Sequence, residues 1–347
     1  MTVAAVGRNG EIAGREVVLD YGDVAREYAA LRDGAMLVDR SHRGRLRFTG
    51  EKAREVLAGL VTNDVLALTP GDGCYACALT AKGKIVSDLR VFATADGAIA
   101  DFPVRAATAF RELIRKYVNP RLVRFADADS ELAQFGVYGS ASRRVVSVVF
   151  GVGEDILDAL KPFSHITARG ALVAHSFELG VPGFEVFAPA SDGPDLWAEL
   201  ARAGATPSGL DAWEIARVEA GRPEWGIDMD ESSLVQEANM DELYAISYTK
   251  GCYTGQETVA RVHFRGHVNR HLRAVRHRHH EAIPAGAELV GADDRVVGEI
   301  KSSVISPRLG SIAMAMVRRE IELPSTLTAR WGGVRAEADV YALPFPL

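Results

Sequence analysis

The alternation of apolar and polar positions predicts a chain of mixed helices and strands. In LVDRSHRGRLRFTG, Leu46 and Phe48 fall on one face of a predicted strand, and Arg45 and Arg47 fall on the other. The segment CYACALTAKGKIVSDLRVF predicts two strands joined by a turn at residues 81–84. Amphipathic helices are predicted in GDVAREYAALRDG, in EKAREVLAGLVTND as far as Thr62–Asn63, in PVRAATAFRELIRKYV, in PDLWAELARAG and in DAWEIARVEAG.

The chain is predicted to divide into three folded parts after a short arm. With 347 residues it is too long for one small core. Residues 1–14 are rich in glycine and have no apolar period, so we expect a loose arm there. Residues 15–130 and 131–268 are predicted to be the first and second parts of an α+β fold. Residues 269–347 alternate short strands and turns, which is typical of a small terminal β-barrel.

Composition and charge exclude several classes of function. The net charge of -6 and the pI near 5.9 argue against a general nucleic-acid binder, which needs a basic face. No stretch approaches the roughly 20 consecutive apolar residues of a membrane helix, and the first residues lack the apolar run of a signal peptide. Three cysteines form no even disulfide framework and indicate a reducing compartment. We therefore expect a cytoplasmic protein that binds neither nucleic acid nor membrane.

One cysteine lies in a segment, KGCYTGQETVAR, that predicts the start of a helix. Thr254 at the N-cap and Glu257 three residues later form a capping box, and the helix is expected to stop at Gly266. Cys252 precedes this N-cap, near the positive end of the helix dipole and close to Lys250. Both effects favour a thiolate, so we expect the pKa of Cys252 to lie below the free value of about 8.5.

The alternative for Cys252 is a small buried apolar residue, which is the commonest role of a free cysteine. Gly251 and Gly255 leave room for a ligand to approach the thiol, and Gln256 is a nearby polar residue that helix capping does not explain. Cys74 and Cys77 form a CxxC within a predicted strand, where side chains three apart point to opposite faces and cannot share a metal. No metal site is therefore predicted.

The segment at Cys252 resembles the signature of the YgfZ family. Every fixed position of that signature is present: Lys250, Gly251, Cys252, Tyr253, Gly255, Gln256, Glu257, Ala260 and Arg261. YgfZ proteins are folate-binding relatives of GcvT, the aminomethyltransferase of the glycine cleavage system, and include proteins that act late in iron–sulfur cluster assembly. Segments such as LVDRSHRGRLRFTGEKA, LTAKGKIVSDLRVF and RVEAGRPEWGIDMD are similar to GcvT and YgfZ in the same order. The resemblance implies three domains in a ring around a central folate site, with a C-terminal β-barrel.

The resemblance also implies which residues hold tetrahydrofolate or a derivative of it. Glu185 matches the GcvT glutamate that grips the pterin, whose N–H donors suit a carboxylate acceptor. The alternative for Glu185 is an exposed residue of a hairpin around Val181–Pro182–Gly183. Trp213 stands where the T-protein has an arginine associated with the folate tail. Arg217 is a substitute cation, although an exposed helical arginine is the simpler interpretation.

Asp88 matches the catalytic aspartate of the T-protein. The resemblance places that carboxylate near the reacting folate nitrogens, where it can stabilise a cationic one-carbon unit and assist proton transfer. Ser87 replaces the first residue of the Asp-Asp pair of the T-protein. The alternative for Asp88 is a turn residue of an edge strand.

The leading hypothesis from the sequence is a tetrahydrofolate-binding protein that supports iron–sulfur cluster assembly or repair. Cys252 is then the reactive thiolate, and it either holds a cluster transiently with a client or assembly partner or acts by redox chemistry, since a cluster usually needs four thiolates. The alternative is a tetrahydrofolate-dependent aminomethyltransferase that uses Asp88; it ranks second because the T-protein has no counterpart of KGCYTGQE. A third hypothesis is a folate-binding module without turnover.

Overall fold

The computed structural model describes residues 7–278 and 281–345 as two compact units. Unit 1 contains the described residues up to Leu79 with Val86–Trp213 and Ala245–Thr254. Unit 2 contains Thr80–Ile85, Glu214–Tyr244 and the described residues from Gly255 onward. This division cuts across the expected boundaries at residues 130 and 268, which stay predictions. None of the helices within the described ranges has the length and apolar character needed to span a bilayer.

The helices and strands alternate along most of the chain before giving way to strands alone. The first half contains β1 Arg8–Ile12, β2 Arg15–Asp20, α1 Val24–Asp33, β3 Met36–Asp39, β4 Gly44–Thr49, α2 Ala53–Ala58, β5 Gly73–Leu79, β6 Ile85–Thr94, β7 Gly97–Phe102, α3 Ala107–Tyr117, β8 Arg124–Asp127, β9 Leu132–Tyr138, α4 Ser142–Phe150 and α5 Glu154–Asp158. The second half contains β10 His165–Ala168, β11 Ala171–Ser176, β12 Gly183–Pro189, α6 Gly193–Arg202, β13 Thr206–Ser208, α7 Leu210–Glu219, α8 Gln256–Arg265, β14 Arg270–His277, β15 Glu288–Val290, β16 Val296–Ser306, β17 Gly310–Arg318, β18 Ser325–Trp331 and β19 Val334–Tyr341.

Unit 1 contains two large sheets besides the two-stranded sheet of β1 and β2. A five-stranded sheet has the order β5-β6-β7-β4-β8, and a six-stranded sheet has the order β10-β11-β12-β9-β3-β13. Leu46 and Phe48 of β4 are buried in a core that includes Leu57 of α2 and Phe110 of α3, so the predicted apolar face of this strand is confirmed. Arg45, on the other face, is also fully buried. Both faces of the sheet are therefore covered, and the sheet can carry buried charged groups.

Unit 2 contains the predicted C-terminal β-barrel. Six strands close in the order β14-β17-β16-β15-β18-β19, which confirms a barrel after the mixed α+β region. Its interior is filled by apolar side chains such as Leu289, Ile300, Ala315 and Val340. Closure leaves no unpaired sheet edge in the barrel.

The expected loose arm is wrong for residues 8–12. These residues form β1, which pairs antiparallel with β2 across a turn at Ala13 and Gly14. Gly14 has φ 80°, a conformation that glycine adopts without strain. Gly14 therefore belongs to a hairpin turn and does not indicate a flexible segment. Residues 1–6 of the expected arm lie outside the described residues.

Candidate functional site

Asp88 is a buried carboxylate on the second strand of the five-stranded sheet. It lies on β6, which has β5 on one side and β7 on the other, so the alternative of an edge-strand turn residue is wrong. The Tyr75 hydroxyl on β5 donates a hydrogen bond of 2.8 Å to Asp88 Oδ2. Ser87, the preceding residue, donates to the Asp88 carbonyl oxygen at 2.7 Å. The sheet therefore presents Asp88 in a fixed position with a hydroxyl donor on its carboxylate.

The face of β6 that carries Asp88 also carries Arg90 and Phe92, because side chains two apart on a strand share a face. Arg90 Nη1 lies 3.0 Å from Glu185 Oε1 on β12. The Phe92 ring lies 5.2 Å from that of Phe187, also on β12. The two sheets of unit 1 therefore pack face to face here, and this packing brings the region of Asp88 close to Glu185.

Glu185 is fully buried, so the alternative of an exposed hairpin glutamate is wrong. Its Oε2 accepts a hydrogen bond of 2.8 Å from Gln134 Nε2, and its Oε1 accepts one from the Tyr138 hydroxyl in addition to contacting Arg90. Burial and the charge of Glu185 together raise the pKa of Tyr138 well above its ordinary value. The carboxylate therefore has protein donors on both oxygens, and one lone pair on Oε2 is left for a further donor.

A buried aspartate links two arginines behind this site. Asp101 on β7 accepts hydrogen bonds from Arg43 Nε at 2.9 Å and from Arg90 Nε at 2.6 Å. Burial alone would raise the pKa of Asp101, but the two guanidinium groups outweigh it and hold that pKa well below its usual range. Sequence reasoning missed this network. The signal that was available is the run of arginines in strands that the apolar pattern already placed in a core.

Trp213 and Arg217 have different surroundings from those expected. Trp213 is 8% exposed, and the guanidinium of Arg40 lies 3.8 Å from the centre of its ring. Arg217 is not an exposed helical arginine, because it is 1% exposed and donates to Asp228 Oδ2 at 2.7 Å and to Ser302 Oγ at 2.6 Å in unit 2. These contacts occupy Arg217 in a structural network, which removes it as the substitute for the missing arginine.

Lys250 binds backbone carbonyl oxygens at the end of α2 and in the segment after it, rather than activating Cys252. Its Nζ donates to the carbonyl oxygens of Ala58, Val61 and Asn63 at 2.6, 2.7 and 2.8 Å. Burial lowers the pKa of Lys250 to about 8. Cys252 is exposed, so the alternative of a buried apolar residue is wrong. The expected pairing of Lys250 with a Cys252 thiolate is wrong too, since the three ammonium donors point to backbone carbonyls.

The helix after Cys252 is confirmed, but its predicted capping box is not. Helix α8 covers Gln256–Arg265, and its N-cap is Gly255 with φ 84° and no side-chain cap hydrogen bond. The Thr254 hydroxyl instead lies 3.5 Å from the Gly59 carbonyl oxygen. A left-handed residue directly before the helix favours glycine over threonine, which explains the shift by one position. Glu257 is exposed on α8 and caps nothing through its side chain.

The other residues of the YgfZ-like signature are divided between the two units. Tyr253 is buried in unit 1, with Lys250 Nζ 4.9 Å from the centre of its ring. Glu257 and Arg261 line a cleft in unit 2 together with Lys82 and Lys84 of the β5–β6 turn. Gly251 has no atom within 4 Å of the place where a Cβ would stand, so the chain is open there.

Replacing Lys250 by methionine is expected to lower the free energy of unfolding by about 1.5–3 kcal/mol, as for hydrogen bonds to a charged group. The change removes all three donors to the carbonyls of residues 58, 61 and 63. Cys252→Ala is the matched control, because it alters an exposed neighbour and should change stability by less than about 0.5 kcal/mol. Urea denaturation at pH 7 measures both variants, and equal losses would contradict the capping role.

The CxxC of β5 is structural, as the strand geometry predicts. Cys74 and Cys77 are both buried. Burial raises the pKa of the Cys74 thiol to about 12, so it stays protonated at neutral pH. Within the described residues there is no group of three or more His, Cys, Asp and Glu side chains that could hold a metal ion.

Unit 1 also contains a cavity of about 380 Å³ that lies apart from the predicted site residues. Its walls include Tyr21, Phe135 and Trp197, together with Asp39 and His42. Neither Asp88, Glu185 nor Trp213 lines it. The catalytic and folate-binding roles expected of these three residues are therefore not assigned to this cavity.

Comparison with known proteins shows that the chain is similar to proteins named aminomethyltransferase. Residues 2–248 match the GCVT N-terminal domain, and residues 270–345 match the glycine cleavage T-protein C-terminal barrel domain. An aminomethyltransferase of Nitrosomonas europaea is 30% identical over 88% of this chain and 85% of its own length. One of Bordetella petrii is 32% identical over 99% of this chain and 93% of its own length.

The fold is similar to that of a solved structure from the same group of proteins. The crystal structure of glycine cleavage system aminomethyltransferase T from Bartonella henselae superposes with a TM-score of 0.89. It covers 99% of this chain and 95% of its own, at 22% sequence identity. The expected GcvT-like fold with a C-terminal barrel is thereby confirmed.

These relatives overturn the leading hypothesis from the sequence. They are named aminomethyltransferases, so a role in iron–sulfur cluster assembly or repair with Cys252 as reactive thiolate is wrong. The expected transient cluster and iron–sulfur partners lose their support with it. The hypothesis gave most weight to the twelve residues of KGCYTGQETVAR, whereas the similarity to aminomethyltransferases extends over nearly the whole chain. The chain belongs to the glycine cleavage T-protein family.

Proposed function

We propose that the protein is a tetrahydrofolate-dependent aminomethyltransferase with Asp88 as its catalytic carboxylate. The observation that carries the proposal is the position of Asp88. This residue is buried, its carboxylate accepts a hydrogen bond of 2.8 Å from the Tyr75 hydroxyl, and it shares a strand face with Arg90, whose Nη1 contacts Glu185. The names of the relatives support the class of reaction. This was the second hypothesis from the sequence.

The acceptors of unit 1 suit a reduced pterin. Tetrahydrofolate supplies the amine nitrogen that accepts the one-carbon group. Glu185 offers a carboxylate to the N–H donors of the pterin, through the remaining lone pair of Oε2 or by exchange of its bond to Gln134. Asp88 holds a negative charge beside the reacting carbon, where it stabilises developing positive charge and accepts a proton. Tyr75 keeps that carboxylate in one orientation.

In this proposal the segment that resembles the YgfZ signature has a structural role. Lys250 fixes the segment to the end of α2 through three carbonyl oxygens. Gly255 supplies the positive φ that starts α8. Neither function requires a reactive thiol, so Cys252 is not part of the proposed chemistry.

The direct test is turnover with an aminomethyl donor. Purified protein is incubated with the donor and tetrahydrofolate, and the one-carbon derivative of tetrahydrofolate is quantified. Product should form only when protein, donor and tetrahydrofolate are all present, and Cys252→Ala should form it at the wild-type rate. Binding of tetrahydrofolate without any consumption of the donor would contradict the proposal.

Replacing Glu185 by glutamine should weaken binding of tetrahydrofolate by about 10- to 150-fold, the equivalent of a lost charged hydrogen bond of about 1.5–3 kcal/mol. Glutamine keeps the size of the side chain but presents only one acceptor oxygen. The control is Glu199→Gln, which removes a partly exposed carboxylate paired with Arg169 and should leave affinity unchanged. Isothermal titration calorimetry provides both constants, and unchanged affinity in Glu185→Gln would exclude Glu185 from the site.

A further inference from the structure

The cavity of about 380 Å³ in unit 1 has a rigid aromatic wall. The Tyr21 ring stacks on Trp197, with centroids 6.3 Å apart and an interplanar angle of 23°. Phe135 meets the same tryptophan edge-on at 5.4 Å, and both belong to a buried core of unit 1. The volume lies within the range of about 300–1,000 Å³ that is typical of small-ligand sites. The cavity therefore offers a small molecule an apolar surface that the packing of the protein holds in place.

The charged side chains that line this cavity leave a negative balance. Arg15 contacts Asp129, so the charge of this arginine is already neutralised. Glu16 and Asp39 also line the cavity, and neither forms an ion pair with a lysine or arginine of residues 7–278 or 281–345. Two carboxylates without a counter-ion favour a cationic ligand over an anionic one.

Asp39 lies at the end of β3, next to the aromatic wall. The Ser41 N–H donates a hydrogen bond of 2.8 Å to Asp39 Oδ1, which fixes the carboxylate in one position. Burial raises the pKa of Tyr21 to about 12, and the negative charge of Asp39 adds to this effect. The charge of Asp39 therefore acts directly on the Tyr21 side chain. A carboxylate beside the face of an aromatic ring is an arrangement that binds organic cations.

His42 contributes a buried acceptor to the same cavity. Its Nδ1 is buried and has no hydrogen-bond partner within the described ranges. Burial and the charges of Arg40 and Arg43 lower the pKa of His42 well below its ordinary value, so the imidazole is neutral at pH 7. In the tautomer with its proton on Nε2, Nδ1 accepts a hydrogen bond. Because buried polar atoms are rarely left unpaired, this nitrogen indicates a donor that a ligand would supply.

We propose that this cavity is a second binding site, which takes a small primary ammonium ion with an aromatic or branched apolar group. The ammonium donates hydrogen bonds to Asp39 and His42, and the apolar group lies against Tyr21 and Trp197. An anion of the same shape would meet the two unpaired carboxylates instead. The residues of the proposed pterin and catalytic site do not line the cavity, so this inference is independent of the proposed function.

The test compares two ligands that share an apolar group and differ in charge. 2-Phenylethylammonium and 3-phenylpropionate both carry a phenyl ring on a two-carbon chain. Isothermal titration calorimetry at pH 7 should give the ammonium a dissociation constant of about 0.1–1 mM, as expected for a ligand of this size, and the carboxylate should bind at least about tenfold more weakly. Equal affinity for the two ligands, or no binding of the ammonium, would overturn the proposal.

Replacing Asp39 by asparagine should weaken 2-phenylethylammonium by about 3- to 10-fold, because the exposed carboxylate supplies the counter-charge. Asp96→Asn is the matched control, since it removes an exposed carboxylate that does not line the cavity, and it should leave the affinity unchanged. Asp39→Asn should bind tetrahydrofolate as the wild type does. Unchanged affinity for the ammonium in Asp39→Asn would refute the assigned counter-ion and with it the site.

Glu185→Gln separates this site from the proposed pterin site. The change is expected to weaken tetrahydrofolate and should leave 2-phenylethylammonium unchanged, because Glu185 does not line the cavity. If the ammonium binds in this way but tetrahydrofolate does not bind at all, the second site stands and the proposed function fails. A loss of both ligands in Glu185→Gln would mean that the ammonium occupies the pterin site and would refute the second site.

Discussion

Asp88→Asn is expected to lower kcat by about 10²- to 10⁴-fold while tetrahydrofolate affinity stays within about threefold of wild type. Asparagine has the same shape and can still accept the hydrogen bond that the Tyr75 hydroxyl donates at 2.8 Å. It cannot hold a negative charge or take up a proton. The expected loss corresponds to about 3–5.5 kcal/mol of transition-state stabilisation, which is the contribution that the proposed mechanism assigns to this one carboxylate.

Two further variants test whether the effect belongs to Asp88 itself. Asp96→Asn removes an exposed carboxylate that accepts a hydrogen bond from Thr94, and it should retain full activity. Tyr75→Phe keeps the ring stacked on Phe163, with centroids 6.1 Å apart, and removes only the hydroxyl. It should cost about tenfold in kcat, because the carboxylate keeps its charge and loses only its orientation. Wild-type kcat in Asp88→Asn would exclude Asp88 as the catalytic group.

The elements that could be predicted from sequence are those whose signal is local. The alternation in β4 places Leu46 and Phe48 in the core, and Gly266 marks the end of α8. Helix α2 shows where local information fails, because the apolar pattern continues to Thr62–Asn63 while the helix ends at Ala58. The carbonyls beyond that point are bound by Lys250, about 190 residues further along the chain. A partner that distant leaves no trace in the local pattern.

The charged residues of the site were harder to predict for the same reason. An arginine on a predicted strand or helix indicates a solvent-facing position unless a counter-ion is known to be near. An exposed position is therefore the simpler prediction for Arg217, whereas the structure buries it against Asp228 and Ser302. Arg40 was not singled out at all, since its neighbour Trp213 lies 173 positions away in the sequence and on a different element. Resemblance to a family located Asp88 and Glu185, and only the structure located their partners.

Asp101→Asn should lower the free energy of unfolding by about 3–5 kcal/mol at neutral pH, because it removes the carboxylate paired with buried Arg43 and one of the carboxylates paired with buried Arg90. Arg43 and Arg90 both donate to this side chain, and Asp101 is completely buried. Asp158→Asn, which alters an exposed pair with Arg143, is the control and should cost at most about 1 kcal/mol. Urea denaturation at pH 7 measures the difference, and similar losses in the two variants would contradict the role of Asp101.

Comparison of wild type with Asp101→Asn should also show how the free energy of unfolding depends on pH. The pKa of Asp101 is lowered in the folded protein, whereas an unfolded aspartate titrates near about 3.9. The unfolded chain therefore binds the proton first as pH falls, so the stabilisation is fully present above about pH 5 and is lost progressively below about pH 4. The stability difference between wild type and Asp101→Asn should be constant from pH 5 to 7 and shrink towards pH 3. A difference that stays constant down to pH 3 would mean that the charge of Asp101 does not stabilise the fold, and that shape alone holds Arg43 and Arg90 in place.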